Sequence, residues 1–115
     1  MGIDKTLVTR STSLMLLKLL EQEDMYGYRM IEELARRSDQ TFSLKAGTLY
    51  PLLHTLLEQG CVECYEKTAE SGRVRKYYTL TKRGRRALAE KQAEWETFSS
   101  AVDKVLTGGC SLASV

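Results

Sequence analysis

Residues 45–81 read KAGTLYPLLHTLLEQGCVECYEKTAESGRVRKYYTLT, and the architecture of the whole chain follows from this segment. In its first half, leucines recur at spacings of three and four residues, the period of one helix face: Leu49, Leu52, Leu53, Leu56 and Leu57. Gly60 is expected to end that helix. Residues 62–67 and 74–80 are rich in Val, Tyr and Thr, and the loop between them contains Ser71 and Gly72. The segment therefore predicts a helix followed directly by a β-hairpin.

Pro51 lies inside the predicted helix, where its ring would press on the carbonyl group four residues earlier and where it has no N–H to donate. The residue four positions earlier is Gly47, which has no side chain. We therefore place Pro51 near the start of the helix, with a slight kink, and not at a helix end.

The flanking residues predict helices on both sides. Residues 7–21 are apolar nearly all round, which indicates a buried helix, and residues 24–27 are interpreted as a turn. A second helix follows, with one apolar face formed by Met30, Ile31, Leu34 and Ala35. After the hairpin, Thr81 suits the N-cap of a long last helix that runs from about residue 82 toward residue 107, where Gly108 and Gly109 favour a left-handed stop.

The predicted order is thus three helices, a basic hairpin and a long helix. This is the plan of a winged helix-turn-helix domain, in which the third helix enters the major groove of DNA. We expect a mainly α (α+β) fold with a two-stranded β-wing. Residues 1–80 would form the DNA-binding domain, residues 81–109 a C-terminal dimerisation helix packed as part of the same domain, and residues 110–115 a flexible tail.

Length and composition limit the possible classes of protein. The chain has 115 residues, 43% hydrophobic and 28% charged, which is typical of one folded, soluble domain, and no apolar run approaches the length of a membrane span. One histidine excludes every site that needs two, and no phosphate-binding glycine motif is present, so we do not expect an enzyme or a cofactor. Three cysteines cannot form a closed disulfide framework, which favours a reducing, cytoplasmic location.

The charge of the chain is concentrated in its middle. Residues 45–86 carry nine basic and four acidic side chains, whereas the flanking parts carry small negative charges and the total is only +2. Between Arg73 and Arg86 there are seven basic residues and no acidic one. This run is either a binding site for a polyanion or a solvated basic face, and the predicted fold favours the first interpretation.

Four motifs carry a resemblance to a known family. They are YGY at residues 26–28, GTLYPLL at 47–53, LLEQG at 56–60, and GRVRKYYTLT at 72–81 followed by Gly84. Together they resemble the PadR family of bacterial transcriptional regulators over about residues 10–107, and the single short C-terminal helix is similar to that of the small members. The resemblance implies a homodimeric, usually repressing, DNA-binding protein. Cys61 departs from the pattern, because the family usually has a larger aliphatic residue there.

The helix and the hairpin of the 45–81 segment offer different contacts with double-stranded DNA. With the leucines facing the core, the helix presents to bases or phosphates Lys45, Thr48, His54 and Thr55, with Tyr50 at its edge. The hairpin tip is expected to contact phosphates, with an arginine reaching the minor groove, through Arg73, Arg75 and Lys76. A homodimer would then recognise an inverted-repeat operator.

The last helix carries a stripe that predicts dimerisation. Leu88, Trp95 and Val102 recur every seven residues, Gln92, Ser99 and Leu106 lie at the alternate spacing, and Phe98 and Val105 lie alongside. The dimerisation residues proposed from this pattern are Leu88, Trp95, Phe98, Val102 and Leu106. The stripe could instead pack only on the first helix of the same chain.

Trp95 is also a candidate effector site. It is the only tryptophan, and a two-fold axis beside the helix would bring two indole rings toward each other. The resemblance implies that a tryptophan in this helix sandwiches a planar aromatic effector, and Asp103 could attract a cationic one. Trp95 could instead simply fill the helix–helix core.

A metal or redox sensor built on Cys61 and Cys64, with His54 nearby, is the alternative function. Residues three apart on a strand point to opposite faces, which is poor for chelation, and Cys61 also suits a small core position. A winged helix that docks on a protein is a further alternative, although seven basic residues without an acidic one favour nucleic acid.

Overall fold

The computed structural model describes residues 5–108, with side chains from residue 10 onward. Its elements in chain order are α1 (Lys5–Gln22), β1 (Met25–Tyr26), α2 (Gly27–Arg37), α3 (Ala46–Glu58), β2 (Val62–Thr68), β3 (Val74–Leu80) and α4 (Lys82–Leu106). The predicted order of helices and hairpin is confirmed, and so is the α+β winged helix-turn-helix class. Gly109 and the predicted tail at residues 110–115 lie outside the described residues.

The wing belongs to a three-stranded antiparallel sheet in the order β1-β3-β2. The sequence predicted two strands and a turn at residues 24–27, but Met25 and Tyr26 pair with Tyr78 and Tyr77 of β3 and add a third strand. A strand of two residues has no stability of its own and forms only beside a longer neighbour. This explains why the local pattern of residues 24–27 did not indicate it.

The core lies between the helices and one face of the sheet. Leu16 and Leu17 of α1 are completely buried, which confirms the predicted burial of the first helix. They form one cluster with further side chains of α1 and of the rest of the chain: Leu19, Leu20, Met25, Met30, Leu49, Leu53, Leu56, Cys61, Val62, Tyr78, Leu80 and Leu88. Burying each large apolar side chain contributes about 1.5–3 kcal/mol, so the sheet and α3 are held in a fixed relation by this cluster. In the part of the chain with described structure, no helix is long and apolar enough to span a bilayer.

Thr81 and Gly84 fasten the start of α4 to the α3–β2 connection. The Thr81 hydroxyl oxygen accepts a hydrogen bond from the Gly84 N–H at 3.0 Å, as predicted for an N-cap. The same hydroxyl lies 2.6 Å from the Gly60 carbonyl oxygen and 3.0 Å from that of Cys61. A Cβ on Gly84 would overlap the Cys61 carbonyl, so the two segments approach as closely as a glycine allows.

The connection from α2 to α3 contains two residues in the left-handed backbone region, Asp39 with φ 52° and Gln40 with φ 67°. The Gln40 N–H donates to the Ala35 carbonyl at 2.7 Å and closes the end of α2. The Ser38 hydroxyl oxygen accepts from the Phe42 N–H at 3.0 Å. Hydrogen bonds therefore hold this turn in a conformation that residues with a Cβ disfavour.

Glu33 forms the centre of a charge cluster on α2. Its carboxylate accepts hydrogen bonds from Arg36 Nη2 at 2.8 Å and from Arg37 Nε at 2.9 Å. These bonds favour the ionised form and lower the pKa of Glu33 from 4.5 to about 2. The carboxylate therefore stays charged well into the acidic range.

The two halves of α4 lie in different environments. Leu88 is only 2% exposed and belongs to the core of its own chain. Beyond residue 92 every described side chain is exposed except Ser99, which is half-buried. We therefore remove Leu88 from the predicted dimerisation stripe, because its side chain is already used inside the protomer. The other four members of the stripe are exposed: Trp95, Phe98, Val102 and Leu106.

Candidate nucleic-acid interface

Helix α3 turns its leucines inward and its polar residues outward. Leu49, Leu53 and Leu56 are buried. The residues that the sequence placed on the outer face are all exposed: Lys45, Thr48, Tyr50, His54 and Thr55. Lys45 is the N-cap residue, with an extended backbone and a side chain that makes no capping hydrogen bond. The outer face of α3 is therefore polar along its length, as a helix that enters the major groove requires.

Pro51 lies inside α3, as predicted. Because proline has no N–H, the Gly47 carbonyl has no hydrogen-bond partner four residues ahead. A Cβ on Gly47 would meet nothing within 4 Å, so the first turn is open to the outside. The Pro51 carbonyl in turn accepts a hydrogen bond from the Thr55 hydroxyl at 3.1 Å, which occupies the donor of one predicted contact residue.

His54 points outward but has an acidic neighbour. Its Nε2 lies 3.3 Å from Glu58 Oε2 one turn further along α3, and both side chains are about 70% exposed. Contact of His54 with a base would have to displace this weak surface pair. The described part of the chain holds no group of three or more His, Cys, Asp or Glu side chains suited to a metal.

A concave surface connects α3, the start of α2 and the wing; we call it the wing groove. Its volume is about 580 Å³. It is lined by four tyrosines, three cations, one acid and a glycine: Tyr26, Tyr28, Tyr50, Tyr78, Arg73, Arg75, Lys76, Glu32 and Gly27. The structure thus brings Tyr50 together with the three predicted hairpin residues. It does not bring Lys45, Thr48 or His54 into the same groove.

Tyr28 is a groove residue that sequence reasoning missed. Its side chain is 62% exposed at the start of α2, although it appeared in the sequence only as part of the YGY motif. The available signal was a large aromatic residue at a polar position of an amphipathic helix. Its hydroxyl and that of Tyr50 are neutral donors of the kind that contact phosphate oxygens.

Gly27 and Tyr50 explain how the groove keeps its shape. A Cβ on Gly27 would overlap the hydroxyl end of the Tyr50 ring. Any other residue at position 27 would force the Tyr50 ring, which is 41% exposed, to move away from the start of α2. The glycine of the YGY motif therefore allows the hydroxyl end of the Tyr50 ring to lie close to the α2 backbone.

Arg75 and Lys76, the two basic residues of β3, lie on opposite faces of the sheet. Residues alternate along a strand, so Arg75 shares a face with Tyr77, and Lys76 shares one with the buried Tyr78. The face that carries Tyr77 points away from the core, and we call it the outer face. Arg75 is half-buried there, with Cζ 4.2 Å from the centre of the Tyr26 ring, whereas Arg73 and Lys76 are exposed.

Tyrosine rings from all three strands contact one another along the outer face. The Tyr26 and Tyr77 rings meet edge to face at 5.5 Å, and the Tyr77 and Tyr65 rings stack at 5.8 Å. The Tyr65 hydroxyl donates to Asp24 Oδ2 at 2.7 Å, and this hydrogen bond raises the pKa of Tyr65 above its usual value. Lys67 lies over Tyr77 at 5.4 Å. Side-chain contacts between neighbouring strands therefore stabilise the wing on the side away from the core.

The seven basic residues between Arg73 and Arg86 divide into two clusters. Three of them line the wing groove, and the other four are exposed on the first turns of α4: Lys82, Arg83, Arg85 and Arg86. The part of β3 between the clusters, residues 77–80, spans about 13 Å. A run that is continuous in the sequence is thus two separate patches on the surface.

The two cysteines of the described chain are free and differ in exposure. Cys61 is 5% exposed and belongs to the core cluster, as its interpretation as a small core residue predicted. Cys64 is exposed on β2, opposite Tyr78. Chelation by the pair would require the Cys61 thiol to leave the core.

Trp95 lies beside a second concave surface, the α1–α4 groove, with a volume of about 560 Å³. Trp95 and Phe98 contribute its aromatic side, with ring centres 6.2 Å apart. The remaining lining residues are Arg10, Ser11, Ser13, Leu14, Lys91 and Glu94. Asp103 is not among them, since it lies eight residues or about 12 Å further along the helix.

Comparison with known proteins identifies the family. Residues 16–90, more than half of the chain, match the family described as "Transcriptional regulator PadR-like family". A transcriptional regulator from Mycobacterium tuberculosis is 32% identical over 79 residues, which cover 69% of this chain and 70% of that protein.

Two solved structures are similar in fold and sequence. A PadR-like regulator from Bacillus cereus has a TM-score of 0.79 and 28% identity, covering 89% of this chain and 97% of that one. A PadR family regulator from Eggerthella lenta has a TM-score of 0.68 and 37% identity, covering 86% and 85%. The chain therefore belongs to the PadR-like family of transcriptional regulators, which are DNA-binding proteins and not enzymes.

Proposed function

We propose that this protein is a homodimeric repressor that binds an inverted-repeat operator in double-stranded DNA, in the bacterial cytoplasm. The observation that carries the proposal is the wing groove, where three cations and four tyrosines surround a concave surface beside the polar face of α3. Such a surface suits a phosphate backbone, while α3 suits the adjacent major groove.

The contacts in this proposal divide by position. Thr48 and His54 on the outer face of α3 read base edges. Phosphates are contacted by Lys45 at the start of α3 and by the groove residues: Tyr28, Tyr50, Arg73, Arg75 and Lys76. Glu32 in the same groove repels phosphate and limits non-specific binding.

Dimerisation in this proposal uses the distal half of α4. Trp95, Phe98 and Val102 are between 37% and 57% exposed and Leu106 is 76% exposed, and their spacing suits a second copy of the same helix. A two-fold axis along α4 would present two α3 helices to two half-sites of opposite orientation. This symmetry is why we propose an inverted repeat.

The DNA contacts are tested by fluorescence anisotropy with DNA from upstream of the gene and with random DNA, each across a range of salt concentrations. Arg75→Ala and Lys76→Ala should weaken both complexes nearly equally and lower the salt slope by about one each. Thr48→Ala and His54→Ala should cost about 1–3 kcal/mol on the operator and little on random DNA. Lys104→Ala, exposed on distal α4, is the matched control and should change neither. Equal losses at all four sites on both DNAs would contradict the division into helix and wing contacts.

Release from DNA by a planar aromatic effector is the second part of the proposal. The supporting observation is the aromatic side of the α1–α4 groove, where the Trp95 ring is 42% exposed in the protomer. A planar ring held between two such tryptophans would favour one separation of the recognition helices. The effector changes DNA affinity only if it binds the two separations unequally.

Trp95 provides the test, because it is the only tryptophan of the chain. Titration with flat cationic dyes should quench its emission in a saturable way, and Trp95→Ala should abolish both dye binding and dye-dependent release of DNA. Asp103→Asn should weaken the binding of cationic dyes more than the binding of neutral ones. Unchanged dye binding in Trp95→Ala would remove this tryptophan from the effector site.

A further inference from the structure

Arg75 is held in place by an aromatic ring and not by an acid. Its guanidinium carbon lies 4.2 Å from the centre of the Tyr26 ring, while Arg75 also lines the wing groove. Among the described side chains, no carboxylate forms an ion pair with it. Its positive charge is therefore available for a ligand.

The Tyr26 ring that supports Arg75 is itself fixed. Tyr26 is both the second residue of β1 and the N-cap of α2, so its backbone is held from two sides. Its ring meets Tyr77 edge to face, and Tyr77 is stacked in turn on Tyr65, which is tied to Asp24. A ring with these neighbours has few other rotamers to adopt.

Two like charges face each other at this point of the sheet. Lys67 and Arg75 are direct partners across β2 and β3, an arrangement that costs stability in a free sheet. Each cation lies over a different tyrosine, Lys67 over Tyr77 and Arg75 over Tyr26. An uncompensated pair of cations of this kind suits an anionic ligand.

We propose that Tyr26 is a positioning residue for DNA binding, which holds the Arg75 guanidinium against its ring before DNA arrives; the proposal rests on the DNA-binding function above. With Cζ 4.2 Å from the ring centre, the guanidinium can pack on the ring by its face, and the N–H groups in its plane then stay free for hydrogen bonds to phosphate. An arginine that is already ordered loses less side-chain entropy on binding.

The experiment is a double-mutant cycle on DNA affinity with full-length protein and the upstream DNA fragment. Tyr26→Ile removes the ring but keeps a residue that suits a strand, and it should weaken binding by roughly two- to tenfold, the loss expected when one long side chain must be ordered on binding. In the Arg75→Ala background the same substitution should have no further effect. Tyr26→Phe is the matched control and should bind within twofold of wild type, because it keeps the ring.

A second measurement keeps the test decisive if Tyr26→Ile folds poorly. In the free protein, the side-chain protons of Arg75 should show upfield ring-current shifts in NMR spectra, and Tyr26→Phe should preserve them. Tyr65→Phe breaks the bond to Asp24 without touching Arg75 and should also leave them in place. Unshifted Arg75 protons in wild type would overturn the proposal.

The outcomes separate this proposal from the function on which it rests. A loss caused by Tyr26→Ile that persists in the Arg75→Ala background would show a general effect on the sheet and overturn the positioning role alone. Wild-type protein that binds neither the upstream fragment nor random DNA would overturn the DNA-binding function and, with it, the role of Tyr26.

Discussion

The winged-helix unit and the distal half of α4 use their apolar residues in opposite ways. Within the described chain, all buried large apolar side chains lie between Leu16 and Leu88, whereas Trp95, Phe98, Val102, Val105 and Leu106 are all exposed. The first region completes its own core. A helix of about fifteen residues is marginal in water on its own, and in the proposed dimer the exposed apolar side chains of this one would pack on a second copy. The difference separates a unit that completes its own core from a helix segment whose apolar side chains only the proposed dimer would bury.

The strongest test of this contrast is Leu88→Ala, at the last buried position of α4. Removing a fully buried leucine should lower the free energy of unfolding by about 2–5 kcal/mol, through lost burial and a residual cavity. Urea denaturation at two protein concentrations measures the loss, which should be the same at both. Leu106→Ala is the control, since its side chain is 76% exposed. If the loss of unfolding free energy in Leu88→Ala changes with protein concentration, Leu88 would instead belong to the dimer interface.

Phe98→Glu tests the proposed dimer contact of the distal half of α4. Phe98 is 57% exposed in the protomer, and a buried charge in its place should raise the dimer dissociation constant by about 30-fold or more, equivalent to about 2 kcal/mol. Sedimentation equilibrium gives the constant. Ser100→Glu, on another side of the same helix, should have little effect. Identical dissociation constants for wild type and Phe98→Glu would show that the stripe does not mediate dimerisation.

Gln40→Gly tests backbone strain in the winged-helix unit. Position 40 has φ 67°, and glycine adopts this conformation without the cost that a Cβ imposes. We expect a gain of about 0.5–1 kcal/mol in the free energy of unfolding, after the extra flexibility that glycine gives the unfolded chain is subtracted. Thermal unfolding measures it. Thr41→Gly, outside the left-handed region, should be destabilising; a gain there as well would point to another cause.

Acid should lower the free energy of unfolding of the winged-helix unit through protonation of Glu33. We expect this effect to be the smallest of the four predicted effects. The pKa of Glu33 is lowered from 4.5 to about 2 in the folded state, so the stability that its ionised form provides is complete above about 4.5 and disappears as the pH falls toward 2. Glu33→Gln should therefore flatten this part of the stability profile, measured by urea denaturation between pH 5 and 2. An unchanged profile in the variant would assign the acid dependence to other carboxylates.

Much of the fold was predictable because its signals are local. The leucine spacing of α3, the Val, Tyr and Thr of the hairpin and the Thr81 cap each encode their element, and the resemblance to the PadR family was confirmed. Strand β1 was not predictable, because two residues pair only where β3 is already present. The heptad spacing likewise could not show that Leu88 is buried inside the protomer while Trp95 is 42% exposed.

The candidate site was predictable in its members more than in its geometry. The structure places Tyr50, Arg73, Arg75 and Lys76 along one groove. Alternation along β3 puts Arg75 and Lys76 on different faces, which makes them unequal in a way that the basic run alone concealed. The stacking of Tyr26, Tyr77 and Tyr65 depends on the register of three strands, and that register is a tertiary property.

The fastening of α4 at Thr81 and Gly84 makes this helix a lever with its fulcrum beside the recognition helix. Its 25 residues extend about 37 Å, so a tilt of about 5° at the fulcrum moves the far end by about 3 Å. Conversely, a displacement of the far end of α4 is coupled to a rotation at its fixed end. In the proposed dimer, a ligand that shifted the far ends of the two α4 helices would turn the attached α3 helices through the same small angle and so change how each of them meets its half-site.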